Sequence, residues 1–386
     1  MKVSITLHRL VRILRAGVGM LIGMATYPIA WYFCFSPKDA LARAVADLLM
    51  IGFYGTDINS PSARLLARQA ARGQVGAVFF VAQNIRNKGN FPALVRLFSG
   101  GPARPMLAVD HEGGAVQRLR PGHGDFVRVP AARTTALQRS PEEARDIYAR
   151  AGEDLIRAGF TINFGPVLDV DDPNNPAIGR WARAFSSDPE VIATYGEAFV
   201  EGFSSVGVLC VAKHFPGHGH AVDDSHFGAA NISDTWTKLE LEPFVRLIKS
   251  PHAPPMIMTG HLRLDQIEPS HLPATVSKPI VTGLLRERLG YQGVIVTDDI
   301  DMDAVRHFMD RKDAVIQALA AGSDIVMIKN LFGYDPFLPQ RAVRWIRQAI
   351  RDGRLSEDAI MASAERVQAM RRWSEAKTVA AQKSAK

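Results

Sequence analysis

Eight short apolar runs punctuate the chain after residue 45, separated by longer stretches whose apolar positions recur at helical spacing. The runs are ADLLMIGFYG (46–55), VGAVFFVAQN (75–84), PMLAVDHEGG (105–114), TINFGPVLDV (161–170), VGVLCVAKHF (206–215), PMIMTGHL (255–262), GVIVTDDI (293–300) and SDIVMIKN (323–330). Their hydrophobicity is continuous and does not alternate, which suits strands buried on both faces of a parallel sheet. Between them, residues 140–159 open on Ser140 as an N-cap, followed by Pro141 and two glutamates, and close on Gly159. Residues 187–207 repeat that design with Ser187, Asp188, Pro189 and a final glycine, and 302–322 and 338–352 predict two further helices. Strands alternating with helices predict an α/β chain whose residues 45–370 form a single-domain (β/α)8 TIM barrel. A doubly wound open sheet is the alternative, because counting strands does not establish closure. Residues 331–386 are too few and too helical in pattern for a second domain.

Composition narrows the picture. With 386 residues, 47% of them hydrophobic, the chain has material for a large core. The net charge is +7, but the basic residues are scattered except at the two ends, including a basic tail over 371–386 expected to fray in solvent. Nucleic-acid binding would need a clustered basic stripe interleaved with aromatics, so it is set aside. The two cysteines, Cys34 and Cys210, lie in unrelated apolar settings and predict no disulfide.

The N-terminus departs from the barrel pattern. Residues 1–15 carry Lys2, Arg9, Arg12 and Arg15, and residues 16–36 contain no charged side chain. That length matches the ~20 residues needed to cross a bilayer as a helix. Basic residues upstream place the remainder of the chain across the membrane. The expectation is a transmembrane or signal-anchor helix in the inner membrane, with the barrel facing the periplasm. A cleaved signal peptide is the near rival. However, no small-x-small site follows closely, and Cys34 lacks the small residue expected before a lipidated cysteine. A buried amphipathic helix on a soluble protein is the blander alternative.

The polar residues Asp110, Lys213, His214, His261, Asp298 and Asp299 fall at the C-terminal ends of predicted strands, where barrels place their active sites. In VIVTDDIDM (294–302), an aspartate just past a buried strand is rigidly aimed and could act as a nucleophile, a metal ligand or a proton acceptor. Capping of a helix beginning near Met302 is the competing use. In DHEGGAVQR (110–118), Asp110 and Arg118 offer an acceptor and a forked donor for adjacent hydroxyls, or else a structural ion pair. The stretch KHFPGHGHAVDDSH (213–226) suggests zinc at first sight, but its spacing matches no zinc signature. Its other reading is a loop with a His–Asp dyad. Asp224 and His226 are two apart, so on an extended segment they share a side. The carboxylate would then tune the imidazole for acid and base work.

Taken together and in this order, DHEGGAVQR, KHFPGHG followed by DSH, and TDDIDM resemble the family 3 glycoside hydrolases. Within that family they are most similar to the β-N-acetylglucosaminidases of bacterial peptidoglycan recycling. The resemblance implies a retaining mechanism with Asp298 as nucleophile and His226 as acid/base, assisted by Asp224. A histidine in that role departs from the usual second carboxylate. It further implies that Asp110, Arg118, Arg183, Lys213 and His214 contact the non-reducing N-acetylglucosamine. No metal or other cofactor is implied; the expected partner is a GlcNAc-containing muropeptide or glycan, bound by a monomer. The resemblance leaves room for a different sugar, for phosphorolysis, and for an inactive sugar-binding protein tethered at the membrane. His220 stands where many relatives carry aspartate, Ala115 where arginine is common, and residues 173–182 look longer than usual. The relatives look cytoplasmic, which conflicts with an N-terminal anchor.

Overall fold

A computed structural model describes residues 39–223 and 230–384. Each apolar run contributes one parallel strand: β1 (Leu49–Ile51), β2 (Ala77–Phe80), β3 (Met106–Val109), β4 (Ile162–Asn163), β5 (Leu209–Phe215), β6 (Met256–Thr259), β7 (Val294–Thr297) and β8 (Val326–Ile328). Hydrogen-bonded neighbours run in the order β7-β6-β5-β4-β3-β2-β1-β8. The ladder is closed by a parallel bridge between Val296 and Ile325, supported by Thr297 N–H donating to Ile325 O at 3.0 Å. The arrangement is that of a (β/α)8 barrel, and the open-sheet alternative is set aside by this closure. Every residue of these eight strands is buried, which is why their sequences show no polar alternation.

The helix between β3 and β4 spans Pro141–Ala158 and has the caps its sequence predicts. Ser140 Oγ accepts from Glu143 N–H, Glu143 reaches back to Ser140 N–H, and Gly159 ends the helix with φ +96°. The next long helix begins at Pro189 with Asp188, not Ser187, as the capping side chain. The helix expected over 302–322 is two pieces, Asp303–Arg306 and Arg311–Ala321. Asp310 starts the second by accepting from Asp313 N–H at 2.8 Å, a cap hidden inside what reads as one amphipathic stretch.

As far as it is described, the basic tail is helical. Glu357–Ser384 is one helix, and Ser374 Oγ donates to Gly207 O at 2.6 Å. At the floor of the barrel, Asp324 is fully buried between Arg286 and Arg366, and its Oδ2 accepts from Ile295 N–H at 2.8 Å. The helix Ala40–Asp47 lies at the same end, where Gly76 N–H donates to Ala46 O at 2.7 Å and Asp39 pairs with Arg347. Residues 16–36, expected to cross a membrane, lie outside the described residues. Among the described residues no helix is long and apolar enough to cross one. Cys210 is buried in β5, and burial pushes its thiol up; Cys34 lies outside the described residues.

Candidate active site

The C-terminal ends of the strands surround a cavity of about 520 Å³. Phe79, Phe164, Met258 and Met327 supply apolar walls, while Asp110, Arg118, Arg183, Lys213, His214 and Asp298 bring their side chains to the same space. Six of the eight residues selected from sequence therefore converge. The other two, Asp224 and His226, lie outside the described residues; the chain on either side of them is described up to Asp223 and again from Ala230.

One wall is a connected charge network. Past β3 the chain makes a tight hairpin of His111–Gly113 against Val116–Gln117. Asn163, at the end of β4, clamps it by accepting from His111 N–H at 2.9 Å and donating to His111 O at 3.1 Å. Gly113 has φ +112°, and a Cβ there would meet Pro130 O at 2.2 Å, so only glycine fits. The hairpin presents Asp110 and Glu112 to the cations. Lys213 Nζ donates to Asp110 Oδ1 at 3.1 Å and to Glu112 Oε1 at 2.6 Å. Arg118 reaches Asp110 Oδ2 at 3.3 Å, and Arg183 grips Glu112 with two bonds of 2.8 Å. Burial alone would raise the Glu112 carboxyl, but Arg183 and Lys213 outweigh it and hold it down at about 2. Asp110 is likewise lowered, the burial effect being overcome by Lys213 and Arg118. Asp110 stays about a quarter exposed, so it keeps acceptor capacity for a ligand.

Among the described histidines of this stretch, His214 and His220 pair with different carboxylates, and no group of residues that could hold a metal ion occurs among the described residues. His214 Nδ1 lies 2.7 Å from Asp169 Oδ2, which turns the other ring nitrogen toward the cavity. Asp169 Oδ1 also accepts from the backbone N–H groups of His214 and His218, at 3.1 and 2.9 Å. Burial would raise Asp169, yet His214 brings it down to about 2. His218 is lowered to about 4 by burial and is therefore neutral near pH 7. His220 faces away from this group: its Nδ1 meets Glu240 Oε1 at 2.6 Å, and that bond raises its pKa. Glu240 thus secures the base of the loop from beneath. Asn175 secures it from the side, donating to the carbonyls of His218, Gly219 and Ala221 at 2.7–3.1 Å.

Asp298 opposes the charged wall at the end of β7. Its Oδ1 accepts from Asp299 N–H at 2.7 Å, and its own N–H donates to Thr259 O at 3.0 Å. Neither aspartate caps a helix. Asp299 Oδ1 accepts from Asp301 N–H at 3.1 Å and from Lys329 N–H at 2.8 Å, which braces the turn. Burial, reinforced by Asp301, raises the Asp299 carboxyl to about 7. His261 is a brace as well, with Nε2 2.8 Å from Asp299 O. At the mouth stands Trp181, 52% exposed.

Sequence reasoning left out Glu112, Asp169, Glu240 and Asn175. Asp169 carried a signal, since a lone acid inside the apolar run TINFGPVLDV must find a partner when buried. Glu112 sits in the quoted DHEGG, but no spacing rule points to Arg183, 71 positions away.

Residues 41–370 match the family profile of the glycosyl hydrolase family 3 N terminal domain. A beta-hexosaminidase of Idiomarina loihiensis is 33% identical over 290 residues, covering 73% of this chain and 83% of that protein. Beta-hexosaminidase A of Pseudoalteromonas piscicida is 31% identical over 327 residues; these are 78% of this chain but 54% of the relative, so the chain spans about half its length. Among solved structures, a family 3 beta-N-acetylglucosaminidase from a Paenibacillus species superposes with a TM-score of 0.75 at 30% identity, covering 87% of this chain and 62% of that one. A beta-N-acetylhexosaminidase from Beutenbergia cavernae gives 0.72 at 29% identity, covering 86% and 99%.

Proposed function

This chain belongs to glycosyl hydrolase family 3, and from that membership we propose that it is a retaining exo-β-N-acetylhexosaminidase acting on GlcNAc-terminated cell-wall fragments. The observation that carries the reading is one cavity with a rigidly held carboxylate, Asp298, on one side and a hydroxyl-binding network on the other. In this reading Asp110 accepts from a sugar hydroxyl, while Arg118, Arg183 and Lys213 donate to neighbouring oxygens. His214, its tautomer set by Asp169, adds one further polar contact.

Asp298 attacks the anomeric carbon as the glycosidic bond breaks, giving a glycosyl-enzyme. His226 protonates the departing oxygen and then takes a proton from the incoming water, while Asp224 holds its tautomer. Support for these two residues comes from the family motif. The base of their loop is anchored beside the cavity by Asn175 and Glu240. The names of the relatives support the choice of sugar.

Asp298→Ala is expected to lower kcat on p-nitrophenyl β-N-acetylglucosaminide by roughly 10³-fold or more. Near-normal turnover in that variant would remove Asp298 from its role. His226→Ala should cost more with a poor alkyl leaving group than with p-nitrophenol, and equal losses would exclude an acid role. A side-by-side assay on the β-glucoside tests the sugar preference.

The uncharged stretch 16–36 supports a membrane anchor with the barrel on the periplasmic side. A periplasm-active reporter fused after residue 45 should be active, and an inactive one would reverse the assignment.

A further inference from the structure

Trp181 lines the cavity mouth and takes no part in the sugar-binding network or the chemistry assigned above. A singly exposed aromatic is ordinary on a protein surface; Trp181 stands apart because it is exposed on the rim of the active-site cavity. The segment around Trp181 is built to hold it there. Gly179 crosses so close to Asp172 that a Cβ would lie 1.7 Å from its carbonyl oxygen. Asn175 Oδ1 accepts from Ala177 and Ile178 N–H at 2.9 and 2.7 Å. Arg133 grips Asp171 with two bonds of 2.5 Å and donates to Gly179 O at 2.8 Å. The turn ends on Ala182 in the left-handed region, φ +53°, just before Arg183 enters the charged wall. The Arg180 guanidinium carbon lies 5.6 Å over the Trp181 ring, propping one face.

We propose that Trp181 is the platform on which the leaving-group sugar stacks, making it a specificity-determining residue for aglycones that are themselves pyranosides. The inference rests on the glycosidase reading above and extends it to the other side of the scissile bond. The charged network that would grip the non-reducing sugar lines the cavity, with Lys213 and Glu112 buried and Asp110 and Arg118 about a quarter exposed, so whatever is attached through the glycosidic oxygen must leave through the mouth. A pyranose ring offers a face of C–H bonds polarised by neighbouring oxygens, and an indole offers a negative, apolar face to receive them. With Arg180 over one side, the ligand ring would stack on the other. The segment 173–182 is what brings the indole to the rim.

The test compares N,N′-diacetylchitobiose, whose aglycone is a sugar, with methyl β-N-acetylglucosaminide, whose aglycone is one carbon. Trp181→Ala should lower kcat/KM for the disaccharide about tenfold more than for the methyl glycoside, as loss of one stacked ring would. Trp181→Phe should recover most of that ratio. Equal losses on both substrates, or no loss on either, would overturn the platform and leave Trp181 a surface residue. A wild-type protein that hydrolyses neither compound would overturn the glycosidase reading, and the platform with it. Wild-type cleavage of both with an unmoved ratio would sink the platform alone.

Discussion

Asp298 and Asp299 are neighbours in sequence, and the second is placed to hold a proton. Its Oδ1 is taken up by two backbone N–H groups, and burial with Asp301 close by raises its carboxyl from 3.8 to about 7. The folded chain then binds more protons than the unfolded one between those values, so this group makes stability fall as pH rises from about 4 to 7. Above that window its contribution is level. Asp299→Asn keeps an oxygen for both N–H groups and removes the titration. The Tm difference, variant minus wild type, should therefore grow from pH 5 to pH 8; parallel profiles would show that Asp299 does not titrate there. Glu112 is the opposite case, an acid held ionised by Arg183 and Lys213. Glu112→Gln leaves two buried cations short of an anion and should cost about 3 kcal/mol in urea unfolding.

At the scale of elements, the barrel strands were legible because burial on both faces leaves an unbroken apolar run. The observed strands sit inside those runs and are shorter, since pairing stops where each ladder partner ends. The helix 141–158 was legible because its caps are local, whereas the break at Asp310 was hidden by a continuing amphipathic pattern. The site was legible where polar residues interrupt strand ends. It was not legible where a group acts on another element, as Asn175 does. That side chain holds five backbone groups, three on 218–221 and two on its own turn. Asn175→Ala should free the loop base from the rim. Limited proteolysis should then cut near 218–223 faster than in the wild type, and unchanged cleavage would assign the hold to Glu240 alone.

For the whole molecule, the strand order has to close between β7 and β8, and Asp324 sits at that seam. It is fully buried, pairs with Arg286 and Arg366, and accepts from Ile295 N–H on the facing strand. Asp324→Ala strands two cations and should lower stability by about 3–5 kcal/mol, read as a lower urea midpoint at unchanged slope. A shift below about 1 kcal/mol would mean that the seam is held by its backbone bonds alone. The same floor receives the chain at Asp39, tied to Arg347, and the helix Ala40–Asp47. The cavity opens at the other end of the strands. A tether running into Asp39 would thus hold the enzyme by its back, with the mouth turned outward from the surface that carries it. Such an enzyme would sample fragments arriving from solution, and would reach poorly toward glycans lying flat against its own support.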